Sequence, residues 1–319
     1  MKNALIHLSA SVILAVLCLG QSAYGAPPPA AELLYRTGFG AGTKIVPIHP
    51  ASPTSDDDLI DEANAAPHPE LKGIKFAYEG GDQTMRYARI VEERGNPANK
   101  VLRFWANQAN AKEFSKTRIQ ADVKGVKKGL KEISMSVRLY LPQDMALLKQ
   151  YPLEITWLTI MEVWNNAPLR PFPFRVTVGL RKPAKGEGPL RFHVSAQDID
   201  QTDPKKAKFT TLWSNLNEQV EAPIGKWMTL EYSITEGDAR SGRFFMAVTP
   251  QGGARTVLFD VTHFTHHTQD PAPDGFTAWN PMKLYTSRQL ADYMRGQGKA
   301  LEMVWDDLSI WKGKAGTGQ

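Results

Sequence analysis

The chain of 319 residues contains one cysteine, Cys18, so no disulfide can form within it and its stability has to come from packing. Its longest apolar run, residues 4–19, is shorter than the roughly 20 residues that cross a bilayer, which excludes a multi-span membrane protein. Charge of one sign is not concentrated either. Thirty-eight Lys and Arg face 33 Asp and Glu, a net charge of +5, and the basic residues are dispersed apart from residues 124–131. Nucleic acid is therefore not an expected partner, although the small cationic excess favours an anionic one. Glycine fingerprints for dinucleotides and for nucleotide phosphates are missing, as is any repeat of about 20–50 residues. What remains is a chain with 42% hydrophobic and 22% charged residues, the balance of a folded globular protein. At this length about 75% of the unfolded surface is hidden on folding, enough for a core without staples.

The first residues read as a secretory signal. Lys2 is the positive n-region, residues 4–19 the apolar stretch, and Ala23 and Gly25 the small residues of a cleavage site. The expected organisation is a signal peptide at 1–25, a proline-rich spacer at 26–31, one domain at 32–312 and a flexible tail at 313–319. The protein would then be secreted or periplasmic, a cysteine-free monomer without a membrane span. Five prolines and an acidic run between residues 47 and 69 predict a long surface loop. Asp56, Asp57, Asp58, Asp61 and Glu62 lack the D-x-D-x-D-G spacing of a calcium loop.

From Ile74 onward, short segments alternate with period two between Gly, Pro, Asn or Lys-rich turns. The clearest is residues 131–142, where Ile133, Met135, Val137, Leu139 and Leu141 share one face and Ser134, Ser136, Arg138 and Tyr140 the other. Residues 87–92, 101–105, 117–123, 155–164, 174–181, 190–197, 227–234, 244–248 and 256–261 read likewise. Parallel strands need crossover helices, and these segments have almost none between them. The predicted fold is therefore all-β, an antiparallel two-sheet sandwich, with short accessory helices at 143–150 and 287–297. Ser287 is placed to cap the second helix, and Gly296 and Gly298 to end it.

Several stretches in order resemble the concanavalin A-like lectin and glucanase superfamily, in particular its alginate-lyase and glucuronan-lyase type. They are residues 37–40 (TGFG), 116–123 (KTRIQADV), 160–166 (IMEVWNN), 281–287 (PMKLYTS) and 304–311 (VWDDLSIW). The resemblance implies a jelly roll of two curved sheets with a saccharide across the concave one. It also implies roles: Arg118 stands where the family's charge-neutralising arginine lies, Glu162 and Trp164 where a Gln-x-His strand lies, and Lys283 and Tyr285 on the strand that supplies the acid. Asp306 and Asp307 stand where a structural calcium is sometimes bound; no other cofactor is implied.

Alternation independently puts Arg118, Gln120 and Asp122 on one face, and likewise Glu162 with Trp164, Arg175 with Thr177, and Arg191 with His193 and Ser195. Arginine forks bind carboxylates, and Trp164 and Tyr140 can stack on sugar rings, so the composition suits an acidic polysaccharide. Expected binding residues are Gln120, Arg138, Tyr140, Glu162, Trp164, Asn166, Arg175 and Lys283, with the proline-rich stretch after Asn166 at the rim. Removal of the proton beside a uronate carboxylate needs a base and a neutralising group, which gives His193 or Tyr285 the first role and Arg118 or Arg175 the second. The alternatives are a lectin-like or laminin-G-like binding module, or a hydrolase using Glu162. His263, His266 and His267 have no standard metal spacing, and no metal site is expected.

Overall fold

A segment that alternates apolar and polar side chains can bury one face only by pairing into a sheet and packing that face on another layer. The computed structural model describes residues 31–62, 68–112, 115–126, 128–166, 171–200 and 207–314. The expected signal peptide and nearly all of the spacer and of the tail lie outside the described residues. In chain order the strands are β1 (Glu32–Thr37), β2 (Thr43–Pro47), β3 (Asp57–Asp61), β4 (Gly73–Tyr78), β5 (Arg86–Glu93), β6 (Asn96–Ala106), β7 (Lys116–Lys124), β8 (Glu132–Tyr140) and β9 (Leu158–Asn165). They continue with β10 (Phe174–Arg181), β11 (Arg191–Asp200), β12 (Lys208–Glu221), β13 (Trp227–Thr235), β14 (Arg243–Pro250), β15 (Thr256–Thr262), β16 (Phe276–Asn280), β17 (Lys283–Ser287) and β18 (Leu301–Lys312).

They form two antiparallel sheets. The eight-stranded sheet runs β15-β14-β13-β8-β18-β6-β5, with β1 on the second half of β18; the ten-stranded sheet runs β12-β11-β10-β9-β17-β7-β4-β3-β2, with β16 on the end of β9. The fold is the all-β sandwich that the alternation predicts. One hydrophobic core lies between the layers, from Leu34 on β1 to Ile310 on β18, and Trp279, Trp305, Phe76 and Phe104 are fully buried in it. Phe104 meets Phe76 edge-on at 5.8 Å and Trp305 at 6.1 Å, the arrangement that the ring quadrupoles favour.

Both short helices are present. Residues Gln143–Gln150 form a 3₁₀ helix, and α1 (Arg288–Gly296) buries Leu290, Ala291 and Met294. Ser287 precedes α1 in extended conformation, but its side chain makes no capping bond, contrary to expectation. The predicted loop at 47–69 also needs correction, because β2 and β3 pair there as a hairpin. The acidic run can be a strand because neighbouring strands answer its charges: Tyr78 donates to Asp57 at 2.6 Å, Lys124 to Asp58 at 2.9 Å, and Lys75 lies 3.5 Å from Asp56. Strand β12 has no counterpart in the sequence reading. It is an edge strand and exposes most of its residues, so no apolar alternation marks it.

Candidate functional site

The outward side chains of the ten-stranded sheet line up by register. At one level lie Arg118 on β7, Tyr285 on β17, Thr159 on β9, Gly179 on β10 and His193 on β11. At the next, Gln120 pairs with Lys283, and Glu162 with Thr177 and Ser195; at a third, Trp164 pairs with Arg175 and Gln197. A β-bulge where β9 meets Gly179 resets the alternation, so that Thr159 and Glu162 face outward together while Ile160 and Met161 enter the core. Polar side chains on the outside of a sheet are ordinarily wet. Here Glu162 and Lys283 are each 2% exposed and His193 4% exposed, and Gln120, Trp164 and Ser195 are buried too. Buried polar groups on an outward face are the informative exception.

Their interactions divide into two sets. In the first, Glu162 accepts from Arg175 Nη1 at 2.9 Å and from the Lys283 amine, which also reaches Asn280 Oδ1 at 3.4 Å. Burial pushes the Glu162 carboxyl up, but Lys283 and Arg175 outweigh it and the pKa is lowered. Burial lowers the Lys283 pKa, against the pull of Glu162. Arg175 also donates from Nε and Nη2 to Gln197 Oε1 at 2.9 and 2.8 Å, and its guanidinium lies 4.5 Å from the Phe209 ring. This first set is saturated by its own contacts.

The second set is not. Tyr285 is hydrogen-bonded to Lys116, whose amine reaches Glu79 at 2.6 Å, and Trp157 packs edge-on against the Tyr285 ring at 4.5 Å. Burial raises the Tyr285 pKa and Lys116 pulls it down. Arg118 approaches Glu79 only at 3.6 Å. Its Nε is buried without a hydrogen-bond partner among the described residues, and so is Gln120 Oε1, although Gln120 Nε2 donates to Asp122 at 2.6 Å. Unspent hydrogen-bonding capacity of this kind is costly unless something binds to it. His193 differs again: its Nε2 is 2.7 Å from Ser214 Oγ, and burial together with Arg181 lowers its pKa to about 3.

Thus Arg118, Gln120, Glu162, Trp164, Arg175, His193, Lys283 and Tyr285 share one face, as the expected cleft requires. Asn166 stands at the end of β9, where its amide donates to Asp270 at 3.0 Å; the next residues of that loop, 167–170, lie outside the described residues. Arg138 and Tyr140 require correction. They lie on β8, on the outward face of the other sheet, where Arg138 pairs with Asp306 and Asp307. Alternation assigns a residue to a face of its own strand and says nothing about which sheet the strand joins. Lys116, Glu79 and Asn280 were missed. Lys116 precedes Arg118 by two residues and could have been found by the same alternation, whereas Asn280 is brought in only by the pairing of β16 with β9. Among the described residues no group of His, Cys, Asp and Glu side chains could hold a metal ion.

No protein-family model matches the chain, and no curated protein matches it by sequence. Among solved structures, its fold is similar to endo-β-1,4-glucuronan lyase from the fungus Trichoderma reesei, at 12% identity and a TM-score of 0.46 over 74% of this chain and 90% of that one. It is also similar to the PL-14 alginate lyase of Aplysia kurodai, at 8% identity and a TM-score of 0.44 over 69% and 86% of the two chains. A third similar structure is the alginate lyase vAL-1 from Chlorella virus, at 8% identity and a TM-score of 0.38 over 72% and 90%. At these identities the likeness is one of fold alone, and the proteins are of the type that the sequence resemblance names.

Proposed function

We propose that the protein is an exported polysaccharide lyase that cleaves uronate-containing glycans by β-elimination on the outward face of its ten-stranded sheet. The observation that carries the reading is the direct cross-strand pairing of Arg118 with Tyr285, both on a buried polar face and neither committed to a saturated network. One sugar ring needs its neutralising group and its proton-transfer group within a few ångströms. Directly paired residues have Cβ atoms about 4.5–5.5 Å apart, whereas His193 stands three strands from Tyr285, about 14 Å. Arg175 is spent on Glu162 and Gln197. Of the pairings open to the sequence, Arg118 with Tyr285 is the one the geometry favours.

In this reading the uronate carboxylate binds Arg118, which steadies the charge that develops as C5 loses its proton. The Tyr285 phenolate, favoured by the Lys116 ammonium, takes that proton; the C5–H electrons form the C4–C5 double bond, and the C4–O bond breaks. The phenol then protonates the departing oxygen and returns to phenolate. A histidine with a pKa near 3 is a poor base at neutral pH, which leaves His193 to bind sugar hydroxyls beside Ser214. Glu162, its pKa lowered and both oxygens paired, is equally unsuited to the protonated acid of a hydrolase.

The test is incubation with uronate-containing and neutral glycans, following both the ultraviolet absorbance of the unsaturated product and new reducing ends. Both signals should rise together on a uronate polymer. Tyr285→Phe and Arg118→Ala should each lower kcat about 100-fold or more, with thermal unfolding unchanged. Because burial raises the Tyr285 pKa, kcat/KM should climb with pH into the alkaline range. A rate already level above about pH 4 would point to His193 instead. Reducing ends without absorbance would make the protein a hydrolase, and retention without either signal a binding module.

A further inference from the structure

The eight-stranded sheet carries an apolar cluster on the wrong side. Val101, Val304 and Trp227 point away from the main core, yet Val101 is 1% exposed and the other two are buried, with Val91 and Tyr140 packed beside them. Their cover is the β5–β6 hairpin. Trp227 on β13 is four strands from β5, about 19 Å across a flat sheet, but its indole N–H donates to Glu93 Oε1 at 2.5 Å. The hairpin therefore arches over the outward face. Asn99 ties it down, donating to Glu93 Oε2 at 3.1 Å and to Asp306 Oδ2 at 3.0 Å.

Between hairpin and sheet lies a cavity of about 1070 Å³. That is at the top of the range of small-molecule sites, roughly 300–1,000 Å³. Its floor is the valines with Tyr140 and Trp227, and its walls carry Asn96, Asn99, Gln251, Glu302 and Asp306. Its cations do not outnumber its carboxylates: Arg94, Arg103, Arg138 and Lys226 face Glu92, Glu93, Glu302, Asp306 and Asp307, and Arg103 pairs with Glu302 and Arg138 with Asp306 and Asp307. An anion entering here would meet five carboxylates against four cations, two of them already in ion pairs, so the lining offers it no net attraction. Arg103 does keep a buried Nε without a hydrogen-bond partner among the described residues. An apolar floor with amide and carboxylate acceptors on the walls matches a pyranose ring, which has C–H faces and a hydroxyl rim but no charge.

We infer that this cavity is a second glycan site, on the sheet opposite the candidate catalytic face, and that it takes neutral oligosaccharides. The inference is independent of the lyase reading. Isothermal titration of the full chain with β-1,4-linked hexaoses of glucose and of mannose should show one site for at least one of them. Saturating oligouronate should leave that affinity unchanged within about twofold, since the two faces are separate. Tyr140→Ala, which removes part of the floor, should weaken neutral binding about tenfold. Ala98→Trp, a substitution at an exposed hairpin residue that lines the cavity, should block it while leaving the unfolding temperature unchanged. No heat with either hexaose, competition by oligouronate, or wild-type affinity in both variants would overturn the assignment. Failure to form unsaturated products would bear only on the lyase reading.

Discussion

His193 is a residue whose placement is legible and whose chemistry is not. Alternation puts it on one face with Arg191 and Ser195, and that is where it lies; its low pKa comes from burial and from Arg181, which the pairing of β10 with β11 brings alongside. The shift has a consequence for stability. An unfolded histidine titrates near 6.5, whereas the folded one titrates at about 3, so the unfolded chain takes up the proton first as pH falls. The stabilisation is fully present above about pH 6.5 and is lost progressively down to about pH 3. At about pH 5 the loss from this one group is ~2 kcal/mol. His193→Gln removes the titration while keeping a partner for Ser214. Urea unfolding near pH 7 and about pH 5 should therefore show a fall in wild-type stability ~2 kcal/mol larger than that in the variant. Equal falls would mean that the imidazole is not held neutral in the fold.

At the scale of elements, β9 and β17 are joined through a buried ion pair as well as through their backbones. Glu162 projects from β9 and Lys283 from β17, and neither charge reaches water. Removing one partner leaves the other a buried charge short of its counter-charge, at a cost of about 3–5 kcal/mol, whereas removing both leaves only Arg175, which is partly exposed and keeps its bonds to Gln197. Glu162→Gln and Lys283→Met should each destabilise strongly, and the double variant should recover about 2 kcal/mol or more relative to the sum of the two, a coupling that denaturant unfolding measures directly. Additive losses would show that the pair is solvated. Both residues could be singled out from the sequence, but their partnership could not, because it depends on the order of strands in the sheet. The same limit hid β3 and β12. A strand of aspartates has no reason to form until Lys75, Lys124 and Tyr78 are beside it, and an exposed edge strand has no apolar face to announce.

Over the whole molecule, the two outward faces differ in charge, and this separates them experimentally. On the ten-stranded sheet the outward residues include Lys75, Lys116, Arg118, Lys124, Arg175, Arg181, Arg191 and Lys283 against Asp58, Glu79, Asp122 and Glu162, so the face is basic. The cavity on the other sheet carries no cationic excess, with four Lys and Arg against five Asp and Glu in its lining. The sequence held the local half of this division, since each strand's polar face was readable. The non-local half was missing, and for that reason Arg138 and Tyr140 were grouped with residues from which they are separated by the full thickness of the sandwich. A basic face attracts a polyanion at a distance, and salt screens that attraction: the Debye length falls from about 10 Å at 0.1 M to about 3 Å at 1 M. Neutral ligands feel no such field. Raising ionic strength from about 0.05 to 0.5 M should weaken oligouronate binding about tenfold, chiefly through slower association, and leave neutral hexaose binding within about twofold. Stopped-flow association of labelled oligouronate beside calorimetry of the hexaose tests both arms. Equal sensitivity of the two ligands to salt would mean that they share one surface, and the division of the sandwich into a charged and a neutral face would fail.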